Sequence, residues 1–263
     1  MSDVIVHVKN VQKTYKQGSI EVHALRGVTL ELARGEFAVL AGSSGSGKTT
    51  LLNLVGALDV PTTGEIDVEG RMLSSMTGKD LAELRLRRLG FVFQAYNLIP
   101  VLSAYENAEY VMLLQGEPAE KRREKVMKVL ESVGLKGMEN RRPTELSGGQ
   151  QQRVAVARAI ASEPALVLAD EPTANLDSKT GSDLVATMRK LNEEHGITFL
   201  ISSHDPKVIR HAARVIRLED GAIVSDERQN GKPAVGYNPV DAATEDSEAW
   251  RGGNADGEDY DGD

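Results

Sequence analysis

Short runs of branched apolar residues recur along the chain and predict strands over residues 4–8, 28–32, 37–41, 165–169, 197–202 and 214–218. The run at 165–169 is apolar at every position, as in a strand covered on both faces by helices. Between these runs lie helical periodicities, such as Leu184, Met188 and Leu191 on one helix face. Strand alternating with helix predicts an α/β domain with a largely parallel sheet at its centre. Asp220-Gly221, followed by the apolar-polar stretch 222–225, is a hairpin signal that adds an antiparallel element. From about Leu81 to Ile160 the pattern is helical with almost no strand signal, and the charged stretch 117–133 is its clearest helix. The expected organisation is one α/β domain over 1–225 with a helical subdomain, about 81–160, inserted into its core.

Charge and composition change this picture at the ends. The net charge of -8 is unevenly placed: residues 226–263 hold 11 Asp and Glu against 3 Lys and Arg, leaving 28 of each sign in residues 1–225. A neutral body has no basic stripe, so no nucleic-acid partner is expected. The acidic segment has few apolar residues and cannot offset its ordering entropy, which predicts a disordered tail. No apolar run approaches the roughly 18 residues of a membrane span. The start of the chain lacks a charged, then apolar, leader, so the expected compartment is the cytosol. With no cysteine, disulfides, thiolate metal sites and cysteine nucleophiles are excluded.

Three strings carry chemistry. Gly42, Ser43, Ser44, Gly45, Ser46, Gly47, Lys48 and Thr49 fit GxxxxGK[ST] between a predicted strand and a helical run beginning at Thr50. Glycines let the backbone wrap tightly and aim consecutive N–H groups at phosphate oxygens, and the helix N-terminus adds partial positive charge. Lys48 is placed to neutralise β- and γ-phosphates and Thr49 to ligate Mg²⁺, so residues 42–50, Thr50 included, form the candidate cradle of a P-loop NTPase core. Asp170 and Glu171 end the buried run at 165–169, where the carboxyl ends of parallel strands gather ligands. Asp170 suits a Mg²⁺ partner and Glu171 a group that polarises an attacking water. In the string Leu146-Ser147-Gly148-Gly149-Gln150, Ser147 takes a helix N-cap position, so a hydroxyl, two glycine amides and a helix dipole converge on one anion-sized spot. A single nucleotide does not need two phosphate sites on one chain.

With these strings in place the sequence resembles the ATP-binding subunits of ABC transporters. The phosphate loop, Gln94, LSGGQ, Asp170-Glu171, Ala174-Asn175-Leu176-Asp177 and His204 stand in the family's order over roughly residues 4–225. The resemblance implies that Tyr15 stacks on adenine, and that Gln94 touches Mg²⁺ or the attacking water and joins the two subdomains. It further implies that His204 contacts the γ-phosphate and that Asp177 crosses to a second subunit. Two copies would pair head to tail, with Ser147, Gly148, Gly149 and Gln150 of one closing over ATP held by Lys48 of the other. The chain would then drive a separate membrane permease and meet the membrane only through it, on the inner face. The stretches 15–25 and 90–114 look most like the lipoprotein-releasing and macrolide-exporter branch. Tyr96, Leu98, Ile99, Val101 and Leu102 are a candidate groove for a helix of that partner. Two other classes stay open: an ABC-type ATPase driving a non-transport membrane complex, as in cell division, and a soluble ABC ATPase.

Overall fold

The computed structural model describes residues 4–18 and 20–229. The acidic segment expected to be disordered lies outside the described residues from Asn230 onward. Two sheets form the framework. Strands β1 (Val4–Gln17) and β2 (Ile20–Ala33) make a long antiparallel hairpin, and β4 (Thr63–Val68) and β5 (Arg71–Met72) extend it in the order β2-β1-β4-β5. The second sheet contains β3 (Phe37–Ala41), β6 (Leu89–Val92), β7 (Leu166–Asp170), β8 (Thr198–Ser203), β9 (Arg214–Glu219) and β10 (Ala222–Arg228). Its order is β10-β9-β3-β8-β7-β6, parallel throughout except for β10 at the edge.

The strand period of two explains how one sheet serves two cores. On β3, Phe37, Val39 and Ala41 face a core shared with α3 (Ala104–Leu114), α4 (Ala119–Ser132), α5 (Gly148–Ile160) and α6 (Ser178–His195). Ala38 and Leu40 face the other way, into a core shared with α1 (Lys48–Val55) and the antiparallel sheet. Helix α1 is therefore packed between two sheets, buried through Leu51, Leu52, Leu54 and Val55. The central sheet's apolar runs have no polar face because both faces are covered.

Several boundaries differ from the sequence pattern, each for a local reason. The strand expected at 4–8 continues to Gln17, past a bulge where Asn10 takes a left-handed φ of 46° and its N–H is capped by the Thr29 hydroxyl. That bulge breaks the alternation on which the strand pattern relied. The helical block expected at about 81–160 is split: α2 (Gly78–Arg88) leads into β6, a core strand whose Gly90 interrupts its apolar run. The helical part inserted into the core thus follows β6 and centres on α3, α4 and the start of α5. The Asp220-Gly221 hairpin forms as expected, both residues having positive φ, 45° and 84°. Its second strand, however, runs to Arg228, beyond the expected boundary at 225.

The extra residues carry a buried charge cluster. Arg214 and Asp226, each with a side chain 2% exposed, form a two-pronged pair at 2.7 and 2.5 Å, and Arg214 also donates to the Glu31 carbonyl and the Glu36 carboxylate. Removing one partner of such a pair leaves an uncompensated buried charge, a loss of about 3–5 kcal/mol. Asp226→Ala is therefore expected to lower the free energy of unfolding by about that amount, and truncation after Ser225, which also removes the Arg228–Glu36 pair, by at least as much. Truncation after Gln229 keeps both pairs and is expected to retain that stability, as chemical-denaturation curves of the three proteins would reveal.

Candidate active site

Helix α1 begins without the cap that the neighbouring long helices use. Helices α2, α3, α5 and α6 start with Thr77, Ser103, Ser147 and Asp177 accepting from their own first-turn amides. Helix α1 has Gly47 at that position, no side-chain cap and no acid in its first turn. Its first amides are left for an outside anion. Gly47 is required twice over: its φ is 103°, and a Cβ there would stand 2.6 Å from the carbonyl oxygen of Ala24 on β2. The Lys48 ammonium folds back over the loop, donating to the carbonyls of Gly42 (2.9 Å) and Ser43 (2.8 Å). The hydroxyl of Ser46 is buried in the same loop without a hydrogen-bond partner.

Residues from three parallel strand ends meet this loop. The Thr49 hydroxyl donates to Asp170 at 3.0 Å, and Ser202 at the end of β8 donates to the same oxygen at 2.6 Å. Ser202 also holds the next residue, since the Glu171 amide donates to its hydroxyl (3.0 Å) and its carbonyl (3.2 Å). Glu171 sits at a left-handed φ of 42°, a strained conformation fixed by those bonds. Its carboxylate lies 3.8 Å from Lys48 Nζ and 3.0 Å from His204 Nδ1. These groups border a cleft of about 400 Å³ whose walls include His23, Lys48, Thr49, Gln94, Glu171 and His204. A larger cavity, about 650 Å³, opens near Arg34 and His195 at the opposite ends of the strands, but it has neither phosphate loop nor acid pair.

The second glycine-rich string is elsewhere. Ser147 caps α5 in a reciprocal box with Gln150, is exposed, and is not among the walls of the cleft. Gly149 packs tightly, a Cβ there falling 2.3 Å from the Thr180 methyl on α6. Asp177 is exposed and accepts from the Lys179 and Thr180 amides, so its job within the chain is to cap α6. Gln94 follows β6, and its carbonyl accepts from Asn175 at 3.0 Å. Tyr15 stands 39% exposed near the end of β1, with its hydroxyl donating to Asp59. Burial raises its pKa first, and the bond to Asp59 adds to the rise.

Several supporting residues carry no sequence motif. Besides Ser202, Gln152 is fully buried and donates to the carbonyls of Phe93 and Pro172, joining the ends of β6 and β7 to α5. Arg158, on the same helix, donates to the carbonyls of Tyr96 and Asn97, two consecutive left-handed residues just after Gln94. Burial without a carboxylate partner presses its pKa down. Of these, Ser202 had a signal, the polar pair Ser202-Ser203 closing an apolar run just before His204.

A phosphate loop on an uncapped helix, an acid pair at a neighbouring strand end and a mostly parallel sheet define a nucleotide-hydrolysing P-loop ATPase. Residues 25–174 match the ABC transporter family model, and the chain belongs to that family. It is 45% identical over 225 residues to an uncharacterised ABC transporter ATP-binding protein of Thermotoga maritima, covering 86% of this chain and 96% of the relative. It is 44% identical over 227 residues to the macrolide export ATP-binding/permease protein MacB of Rhodopirellula baltica, covering 86% of this chain but 33% of that longer protein. Among solved structures, the dimeric post-hydrolysis state of the ATP-binding cassette MJ0796 of Methanocaldococcus jannaschii, bound to ADP and Pi, is similar with a TM-score of 0.80 and 43% identity. That match covers 87% of this chain and all of the other. The chain is thus an ATPase whose relatives include exporter subunits.

The geometry singles out Ser202. Ser202→Ala removes one hydroxyl that orients both Asp170 and Glu171, and loss of such a supporting bond typically costs about 10- to 100-fold in activity. Steady-state ATPase assays are expected to show a fall of that size in kcat, with the fold intact by circular dichroism.

Proposed function

We propose that the chain is one half of a head-to-tail homodimer that closes over two ATP molecules and drives a separate membrane permease of the export or lipoprotein-release type. The observation that carries this reading is the separation of the two anion-binding helix ends: α1 opens on the cleft, whereas the start of α5 lies outside it, with Ser147 exposed and Gly148 to Gln150 half-buried. Paired about a two-fold axis, each copy would lend its spare end to the other's cleft. Two solved structures of the MJ0796 cassette are described as dimeric, which supports the pairing.

Each residue then has a task at the nucleotide. Lys48 and the α1 amides hold the β- and γ-phosphates, and Tyr15 stacks on adenine. The donor set beside them suits Mg²⁺, a hard cation taking oxygen ligands: the Thr49 hydroxyl and the Asp170 carboxylate already lie 3.0 Å apart, with Gln94 on the same cleft wall. Bound there, Mg²⁺ would neutralise charge on the phosphates. Glu171 takes the proton of the water that attacks the γ-phosphorus as the bond to ADP breaks, and His204, in contact with Glu171, is within reach of the same phosphate. Asp177, exposed at the α6 cap, faces the partner copy across the pair. Loss of the γ-phosphate removes the charge that both surfaces bind, and the halves part.

The stroke needs a partner to move. None of the described helices is long and apolar enough to cross a membrane. A second cleft, about 440 Å³ and mostly apolar, opens between β6 and α3, with Leu58, Phe91, Phe93, Ile99, Tyr110 and Leu114 among its walls. Leu114 is 57% and Leu58 48% exposed. Of the five groove residues expected from sequence, only Ile99 lines it. Leu98 packs into the helical core, and the Tyr96 hydroxyl lies against Gly148. Its apolar walls and position beside Gln94 fit a short helix of a permease, which would hold the chain at the inner face of the membrane. MacB, the relative described as a fused ATP-binding/permease protein, is consistent with such a partner.

Two experiments separate the parts of this reading. Glu171→Gln keeps size and hydrogen bonding but loses the base, a contribution typically of about 10² to 10⁴ in rate. With ATP and Mg²⁺ it is expected to elute as a dimer, and with ADP as a monomer; monomer in both, with hydrolysis preserved, would remove Glu171 as the base. The double variant Tyr110→Glu, Leu114→Glu places two charges in the apolar cleft. It is expected to lose recovery in the membrane fraction of its host while the isolated chain still binds ATP, and full membrane recovery would exclude this cleft as the docking site.

A further inference from the structure

A charged cluster around Tyr15 is used neither by the phosphate chemistry nor by the pairing of two chains. Lys13, two residues earlier on β1 and so on the same face, is buried to 8% exposure. Its ammonium donates to Asp59 Oδ1 (2.7 Å) and to the Val60 carbonyl (2.7 Å), and lies 4.8 Å from the centre of the Tyr15 ring. The other oxygen of Asp59 accepts from the Tyr15 hydroxyl at 2.8 Å. Asp59 thus bridges the two side chains with one carboxylate. Burial alone would raise its pKa, but the hydrogen bonds from Lys13 and Tyr15 outweigh that and hold it below the usual range.

We propose that Lys13 and Asp59 are positioning residues for the nucleotide base, which fix the Tyr15 ring in place and tie it to the helix that carries the phosphate loop. The inference rests on the reading of Tyr15 as the ring that stacks on the base. A partly exposed tyrosine on a strand near a hairpin end is otherwise a mobile side chain, and a base that stacks on it must first immobilise it. Here the hydroxyl is already held and a cation sits against the ring, attracted by its electron-rich face. Tyr15 is still 39% exposed, which leaves ring surface for a flat ligand. Asp59 also connects this ring to the phosphates: it belongs to the turn that closes α1, where the amides of Leu58 and Asp59 both donate to the Asn53 carbonyl. The base-stacking ring and the phosphate cradle are therefore anchored to the two ends of one short helix.

The test compares ATP with inorganic tripolyphosphate, which has the phosphates and no base, by titration calorimetry on the full chain. Tyr15→Phe is the discriminating variant, since it keeps the stacking face and loses only the hydroxyl held by Asp59. Loss of one such bond is expected to weaken ATP binding about three- to tenfold in Tyr15→Phe and in Asp59→Asn, with tripolyphosphate affinity unaltered. In turnover, the loss falls on KM rather than kcat. Tyr15→Ala separates the two layers of the idea. If it weakens ATP relative to tripolyphosphate while Tyr15→Phe and Asp59→Asn match wild type, stacking stands and the positioning inference is overturned. If Tyr15→Ala also leaves that ratio unchanged, the stacking reading itself fails. An equal loss for ATP and tripolyphosphate in Asp59→Asn would overturn the inference too, because it would mark a general disturbance of α1. Should Asp59→Asn not fold, Tyr15→Phe decides alone, as it keeps the Lys13–Asp59 pair.

Discussion

The structure turns on one deliberately unsatisfied group of backbone amides, the uncapped start of α1. The starts of α2, α3, α5 and α6 are each occupied by a capping side chain, and α4, which follows Pro118, has Glu120 in its first turn, whereas α1 has neither cap nor acid. Leaving α1 open has a cost, since orphan amides in a packed setting lose their water partners. The fold keeps them accessible by holding the loop rigid rather than by filling it. The Ser46 carbonyl accepts from the Gly221 amide at the β9–β10 turn, and the Gly221 carbonyl accepts from Arg26 on β2. The turn signalled by Asp220-Gly221 is thus a clamp between the antiparallel hairpin and the phosphate loop, which gives that hairpin a role in binding as well as in packing.

Helix α5 relates the site to the rest of the chain. Its N-terminus bears Ser147 and its middle bears Gln152 and Arg158, which bond to the backbone at Phe93, Tyr96 and Asn97 on either side of Gln94. A rigid-body shift of α5 cannot leave the segment around Gln94 where it was, because those bonds are short and partly buried. The strain of two successive left-handed residues is localised in that segment. The apolar cleft between β6 and α3 borders it, with Asn97 and Arg158 in its walls. In the proposed dimer, the element that completes the partner's site and the segment that reaches the permease groove are thereby joined by one helix.

Much of this was legible in the sequence where a residue's role is local. The phosphate loop, the acid pair and the LSGGQ cap are each set by neighbours within a few positions, so their residue types announce them. The central strands were legible because burial on both faces leaves them continuously apolar. What escaped was non-local or interrupted. Strand β4 has only two buried apolar residues, Ile66 and Val68, and β6 is broken by Gly90, so neither has the pattern of a strand. The end of the domain was misplaced because Asp226 looks like the first residue of an acidic segment, and only its partner Arg214, 12 positions away, shows it to be internal. Ser202 and Arg158 act through bonds that span 31 to 62 positions, so that even the polar Ser202-Ser203 pair closing its apolar run does not name the partners.

The two cores divide rigid from movable structure. The core around α1 is enclosed by two sheets, so the phosphate cradle cannot shift without disturbing both. The other core joins the central sheet to α3 and α4, which reach it from one side only. The helices of this core meet through small side chains such as Ala104 and Ala108 on α3 and Ala157 and Ala159 on α5, as well as larger ones. Small residues leave smooth surfaces, over which a helix can slide with less rotamer rearrangement than interdigitated leucines would require. Polar bonds also cross to this part: Arg153 on α5 donates to the Val133 carbonyl at the end of α4, and Lys125 on α4 pairs with Glu163 just after α5. The fold thus encloses the phosphate cradle between two sheets and leaves Ser147 exposed at the start of α5, an arrangement that the proposed dimer would use.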